Sequence, residues 1–182
     1  MTVTLRDARP SPEDRAWIAR HYPEYVNELA LRVSGSAGPF LTDGEHGNRQ
    51  PEWLLRWFRD DRTHPLLILS GGQPAGFALV ARPLAPVANP QPVVHEMAEF
   101  FIRAAHRRRG VGAEAAGLIF RRFGGDWRVT EARRNTPAVA FWRRVIGTFT
   151  GGVFTERLVD GDVRHAFRTP ERAAGLVAGR LP

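Results

Sequence analysis

Glu96-Met97-Ala98-Glu99-Phe100-Phe101-Ile102-Arg103-Ala104-Ala105-His106-Arg107-Arg108-Arg109-Gly110-Val111-Gly112 is the stretch on which the reading of this chain turns. An apolar, aromatic run reads as a strand, a basic turn follows, and two glycines open a helical pattern that runs to Phe123. Backbone amides at a helix start have no partner within the helix, and glycine lets an anion approach them without a Cβ in the way. The arginines before the turn add guanidinium forks for the same anion. Taken alone, such a turn fits a phosphate cradle and a plain charged helix cap equally well.

Working outward, Val3 to Arg6 reads as a short first strand. Ser11-Pro12-Glu13-Asp14 is a helix start, with a hydroxyl cap, a proline at the first helical position and acids at the positive end of the dipole. Trp17, Ile18, Tyr22, Tyr25, Val26 and Leu29 continue it at helical spacing, and Pro23 is expected to kink or split it. Gly38 to Gln50 reads as a surface loop, and Pro51 to Arg59 as a second amphipathic helix. Leu66-Leu67-Ile68-Leu69 and Phe77-Ala78-Leu79-Val80 flank a glycine turn and form a hairpin; the prolines from Pro83 to Pro92 make an irregular connection to the strand ending at Ile102. Asp126 to Ala132 is the next strand, and Thr136-Pro137 starts a helix that Gly147 is expected to end. Thr148 to Val159 and Asp162 to Arg168 close the order as a hairpin around Asp160-Gly161. Trp17, Trp53 and Trp57 read as core. The order predicts one mixed α/β (α+β) domain over residues 1–170, with 171–182 as a tail.

Composition narrows the chemistry. The 182 residues contain no Cys, which excludes disulfides, thiol nucleophiles and zinc ribbons. They contain no Lys either, so all 26 basic residues are Arg, which excludes Schiff-base chemistry and a P-loop. The formal charge of +7 invites a nucleic-acid reading. The excess is local, however: Arg103 to Arg144 holds 11 Arg against three acids, and the rest of the chain is close to neutral. Such a patch suits a polyanion or a small phosphorylated cofactor. No apolar run is long enough to span a membrane and the amino terminus has no signal pattern, so a cytoplasmic protein is expected.

Other site patterns fare poorly. Gly110-Val111-Gly112-Ala113-Glu114-Ala115 satisfies a dinucleotide fingerprint, but Arg103 to Arg109 separate it from its strand and three strands precede it. The His residues have no metal-ligand spacing, and no G-x-S-x-G elbow is present.

Arg107-x-x-Gly110-x-Gly112, placed after the strand, resembles motif A of the GCN5-related N-acetyltransferases (GNAT), whose signature is Q/R-x-x-G-x-G/A. Asn135, Ala138 and Phe141-Trp142-Arg143-Arg144 resemble the family's second motif. The resemblance spans about Val3 to Arg168, and within the family the chain is similar to a group of bacterial acetyltransferases of unassigned substrate. It implies a GNAT fold: a mixed central sheet of about six to seven strands, flanked by about four helices and splayed at the fourth strand. It also implies acetyl-coenzyme A as co-substrate, no metal, and acetyl transfer to a primary amine of a small molecule or peptide by direct attack. A nucleic-acid-binding module and a catalytically silent acyl-coenzyme A binder are the alternatives, and the oligomeric state stays open between monomer and homodimer.

The same resemblance implies roles. Phe101, Ile102 and Arg103 would pair with the pantetheine amides, and a backbone N–H near Phe101 or Ile102 would receive the developing oxyanion. Arg107, Arg108, Arg109, Gly110, Val111, Gly112 and Ala113 would hold the pyrophosphate. Asn135 would bind the pantetheine arm, with Phe141, Trp142 and Arg144 also at the coenzyme. Glu99 and Glu96 are the candidate bases; three apart, they face opposite sides of a regular strand unless a bulge intervenes. Many relatives have a tyrosine acid where this chain has Trp142, which donates no acidic proton. Tyr22 and Tyr25 are candidate acceptor-site residues, although an amphipathic core role fits them too.

Overall fold

A computed structural model of the chain describes residues 2–35, 51–83 and 94–170. The loop expected at Gly38 to Gln50, most of the proline-rich connection and the tail lie outside the described residues. Eleven elements follow in the expected order: β1 (Val3–Asp7), α1 (Pro12–Ser34), α2 (Pro51–Arg59), β2 (Thr63–Ser70), β3 (Gln73–Ala81), β4 (Val94–Ile102), α3 (Val111–Arg122), β5 (Gly125–Ala132), α4 (Thr136–Thr150), β6 (Thr155–Val159) and β7 (Asp162–Thr169). All seven strands join one sheet in the order β1-β2-β3-β4-β5-β7-β6. Every neighbouring pair is antiparallel except β4 and β5, which run parallel.

Two cores flank the sheet. Helices α1 and α2 pack Ile18, Tyr22, Val26 and Leu54 on Leu67, Phe77, Leu79 and Phe101. Helices α3 and α4 pack Ile119, Phe120, Trp142 and Ile146 on the opposite face, against Leu66, Val80, Trp127 and Phe167. Strands β2 and β3 are thus covered on both sides, which is why their sequences run apolar without alternating.

Local signals set the helix ends. Ser11 Oγ accepts the Asp14 N–H at 3.2 Å, and Gly35, at φ 77°, returns its N–H to Leu31 O. Arg6 forks onto the buried Asp14 carboxylate with two 2.6 Å bonds, tying β1 to the start of α1. Two expectations need correction. Pro23 lies inside α1, which continues unbroken to Ser34. Burial of Tyr22, Val26 and Leu29 on one face offsets the hydrogen bond that the missing N–H forfeits. Gly147 does not end α4 either: the helix runs on to Thr150 and is capped by Gly151 at φ 63°. The extra turn seats Phe149 against Phe120 at 5.3 Å, and strand β6 begins only at Thr155. Among the described residues no helix is long and apolar enough to cross a membrane.

His95 stacks on Trp127 at 5.3 Å inside the α3/α4 core, and burial pushes its pKa down to about 4, with the Arg82 and His64 charges acting the same way. Burial lowers His64 and His165 too. A histidine whose folded pKa is depressed binds fewer protons folded than unfolded, so its contribution is complete above pH ~6.5 and is lost as pH falls toward the folded value. Denaturant midpoints are expected to fall between pH 7 and pH 4.5. His95→Phe, which keeps the ring stack, should remove roughly 2–3 kcal/mol of that fall. An unchanged pH profile for the variant contradicts this account.

Candidate functional site

The parallel strands β4 and β5 pair over three positions only, Val94 with Asp126, His95 with Trp127 and Glu96 with Arg128. Beyond Glu96 they part, leaving the β5-facing edge of β4 open down to Ile102. On its other edge β4 stays bonded to β3, where Arg103 N–H donates to Ala75 O at 2.9 Å. Antiparallel pairs alternate between bonded and non-bonded positions, so Gly76 with Ile102 and Ala78 with Phe100 are the non-bonded pairs. The backbone N–H groups of Ile102 and Phe100 therefore face the cleft, and that of Arg103 does not.

The cleft ends at the basic turn. Arg108 at φ 60° and Gly110 at φ 81° adopt left-handed conformations two residues apart, which gathers the following N–H groups toward one point. Helix α3 has no side-chain cap, and nothing lies within 4 Å of where a Cβ on Gly110 would stand. A Cβ on Gly112 would meet the Phe141 ring at 3.4 Å and Ile102 at 3.5 Å, so this glycine keeps the inner wall of the turn open. Arg107 does something the sequence did not suggest. Its Nη atoms fork onto the two oxygens of Glu28 at 2.6 Å each, its Nε donates to Ile102 O at 2.6 Å, and its guanidinium lies over Phe101. Arg107 binds the turn to α1, leaving backbone amides to face an anion. The Arg107 bond holds the Glu28 carboxyl below its ordinary pKa. The signal in the sequence was the acid-acid-base ladder Glu24, Glu28, Arg32 at four-residue spacing on α1.

A β-bulge falls where the two candidate bases need it. Leu79 pairs with Glu99 and Val80 with Met97, so Ala98 is the extra residue. The bulge resets the alternation: Glu96 and Glu99 both point to the α1/α2 side of the sheet. Glu99 is buried, and both tyrosine hydroxyls of α1 reach it, Tyr22 Oη donating to Oε1 at 3.4 Å and Tyr25 Oη to Oε2. Glu96 is held by Arg128, its register partner on β5. The two tyrosines and Glu99 thus come together at one point, with Glu96 farther up the strand.

Across the cleft, Asn135 precedes α4 and is buried. Its Nδ2 donates to Glu131 Oε2 at 3.0 Å, and its Oδ1 has no hydrogen-bond partner among the described residues. Phe141 stacks on Phe100 at 5.8 Å and lines the cleft. Trp142 is buried in the core against Phe100 and Phe120, and Arg144 is exposed on α4. No cluster of three or more His, Asp or Glu able to hold a metal is found among the described residues.

A mixed sheet parted at its centre, with an uncapped, glycine-opened helix at the mouth of the parting, defines the acetyltransferase class of fold. The family model described as Acetyltransferase (GNAT) family matches residues 32–148, and the chain belongs to that family. No curated protein matches the chain. Among solved structures it is similar to an acetyltransferase from Thermus thermophilus, at 18% identity and TM-score 0.61, over 92% of this chain and 97% of that one. It is similar also to NAA60 of Arabidopsis thaliana in complex with acetyl-CoA, at 9% identity and TM-score 0.59, over 92% and 98%. A third is yncA of Salmonella typhimurium with acetyl-CoA, at 16% identity and TM-score 0.58, over 96% and 98%. These likenesses are of fold.

Gly76 keeps the cleft in shape from behind. A Cβ there would stand 2.1 Å from Phe101 O, which only a backbone shift of β3 or β4 can relieve. Gly76→Ala is expected to cost about 1–3 kcal/mol in denaturant unfolding and to displace the Ile102 amide. Wild-type stability in that variant would show that the close approach is not needed.

Proposed function

We propose that this protein moves the acetyl group of acetyl-coenzyme A to a primary amine by direct attack within one ternary complex. The observation that carries the reading is the cleft itself: unpaired β4 backbone along one wall, bare α3 amides at one end, and the buried Glu99 carboxylate with two tyrosine hydroxyls at the other. One sheet carrying all these parts supports residues 1–170 as a single functional domain.

The residues present fit the coenzyme. The amides from Arg108 to Ala113 suit its pyrophosphate, with Arg108 and Arg109 beside them. The partnerless Asn135 Oδ1 suits an amide N–H of the pantetheine arm, since a buried acceptor left unmade costs about 1–3 kcal/mol. Phe141 gives the arm an apolar wall. Ile102 N–H is the donor placed for the negative charge that grows on the thioester oxygen, a bond worth roughly 10²–10³ in rate. An alkyl ammonium has a pKa near 10.4, so a proton must leave before attack. Glu99 is the base that receives it, with Tyr22 and Tyr25 orienting the carboxylate, while Glu96 stays held by Arg128. Trp142 supplies no proton, and departure of the thiolate without an acid costs about 2 kcal/mol at pH 7 for a thiol pKa near 8.5.

Two measurements test this. Saturating acetyl-coenzyme A should raise the melting temperature, by an increment equivalent to about 2.7 kcal/mol at one hundred times Kd, and Gly110→Asp should abolish the shift by setting a carboxylate where the phosphates belong. An unmoved wild-type melting temperature refutes the proposal. In an amine acetylation assay, Glu99→Gln should lower kcat/KM by about 10²–10⁴, with the deficit shrinking as pH rises toward the amine pKa. A deficit constant with pH would remove Glu99 from the role of base.

A further inference from the structure

Helices α1 and α2 cover only half of their face of the sheet; on the other half, made by β5, β7 and β6, no described helix lies. The side chains turned to that open face follow from the register. Trp127, Val129 and Phe167 enter the α3/α4 core, so Arg128 and Thr130 of β5, Arg164 and Ala166 of β7, and Arg157 of β6 point the other way. This is also the side to which the bulge turns Glu96 and Glu99. The face therefore continues the Glu99 site with a small-residue floor at Thr130 and Ala166 and an arginine rim.

Two of the cations on this face are neutralised, Arg128 by Glu96 and Arg168 by Asp126 at 3.3 Å. Arg157 and Arg164 are not. They are direct cross-strand partners on one face, they have no ion pair among the described residues, and Arg164 makes only a 3.4 Å bond to Thr130 Oγ1. Like charges directly opposite in a sheet are destabilising, so the pair works against the fold where it stands. Two guanidinium forks from cross-strand partners on one face, beside a small-residue floor, suit a carboxylate or phosphate, which would relieve that repulsion. The parallel register that sets Glu96 beside Arg128 puts Thr130, and hence Arg164 across from it, level with Ala98 and Glu99. Two strand spacings are on the order of 10 Å, and the parting of β4 from β5 beyond Glu96 adds to that separation.

We infer that Arg157 and Arg164 select an acceptor carrying an anionic group, carboxylate or phosphate, at least about 10 Å from the amine that Glu99 deprotonates. The inference rests on the acetyl-transfer reading for the place of the amine. The anion preference is a property of the open face and is read by binding alone.

The test uses the full chain with coenzyme A and three ω-amino probes of one length that differ at the far end: 8-aminooctanoate, 8-aminooctyl phosphate and 8-aminooctanamide, whose amide end carries no charge. Calorimetric titration should show one or both anions binding about tenfold or more tightly than the amide, and which anion wins names the group. Arg164→Gln and Arg157→Gln should each bring the anions down toward the amide. Arg143→Gln, which removes the same charge from the opposite face, should leave the preference intact. Equal affinity for all three probes, no binding by any, or an equal loss in Arg143→Gln overturns the inference. A failed acetyl-coenzyme A thermal shift would instead sink the acetyl-transfer reading, so the two failures are told apart.

Discussion

The parting of β4 from β5 is the constraint on which the rest of the molecule is arranged. A sheet gains by completing its ladder, and buried backbone groups without partners are costly. Here the ladder stops after three pairs, and the chain supports the gap from every side. Strand β3 holds β4 from Glu96 to Ile102 from behind, Gly76 allows that approach, and the α3/α4 core fills the space below with Phe100, Trp142 and Phe120. The opening is thus a stable part of a well-packed domain, and its free backbone is what a long, amide-bearing ligand can pair with.

Charge is arranged around the same opening. The basic excess of the central stretch suggested a single cationic patch, but several of its arginines meet acids from elsewhere in the chain. Arg103 lies by Glu24, Arg107 forks onto Glu28, Arg128 meets Glu96 and Arg143 meets Glu156. Two of these bonds fasten α1 to the turn between β4 and α3, so the helix bearing Tyr22 and Tyr25 is fixed to the segment placed for the phosphates. The residues proposed to hold a coenzyme and those proposed to face an acceptor are therefore mechanically joined.

Much of the fold was legible because punctuation was strong. Ser11-Pro12 opened α1, Thr136-Pro137 opened α4, and the turns at Gly71-Gly72 and Asp160-Gly161, with positive φ throughout, marked both hairpins. The misreadings came where tertiary packing outweighed a local breaker, at Pro23 and Gly147. Of the candidate site, the glycines stood out in the sequence because backbone freedom leaves a visible mark, and Glu99 and Glu96 came from the family resemblance of their strand. Arg107 left only the four-residue charge spacing on α1 as a sign of its partner, and the lone Oδ1 of Asn135 was invisible, since it depends on elements distant in sequence. So was the pairing of Arg157 with Arg164, which only the hairpin register reveals.

The extra residue at Ala98 divides β4 into two segments of opposite phase. Upstream of it odd-numbered residues such as His95 and Met97 enter the α3/α4 core; downstream Phe100 and Ile102 do. When related sequences that lack the extra residue are aligned through this strand without a gap in it, core residues are matched with acids. A carboxylate column in such an alignment carries meaning only after the bulge has been located in each chain, and substitution scores alone will not locate it.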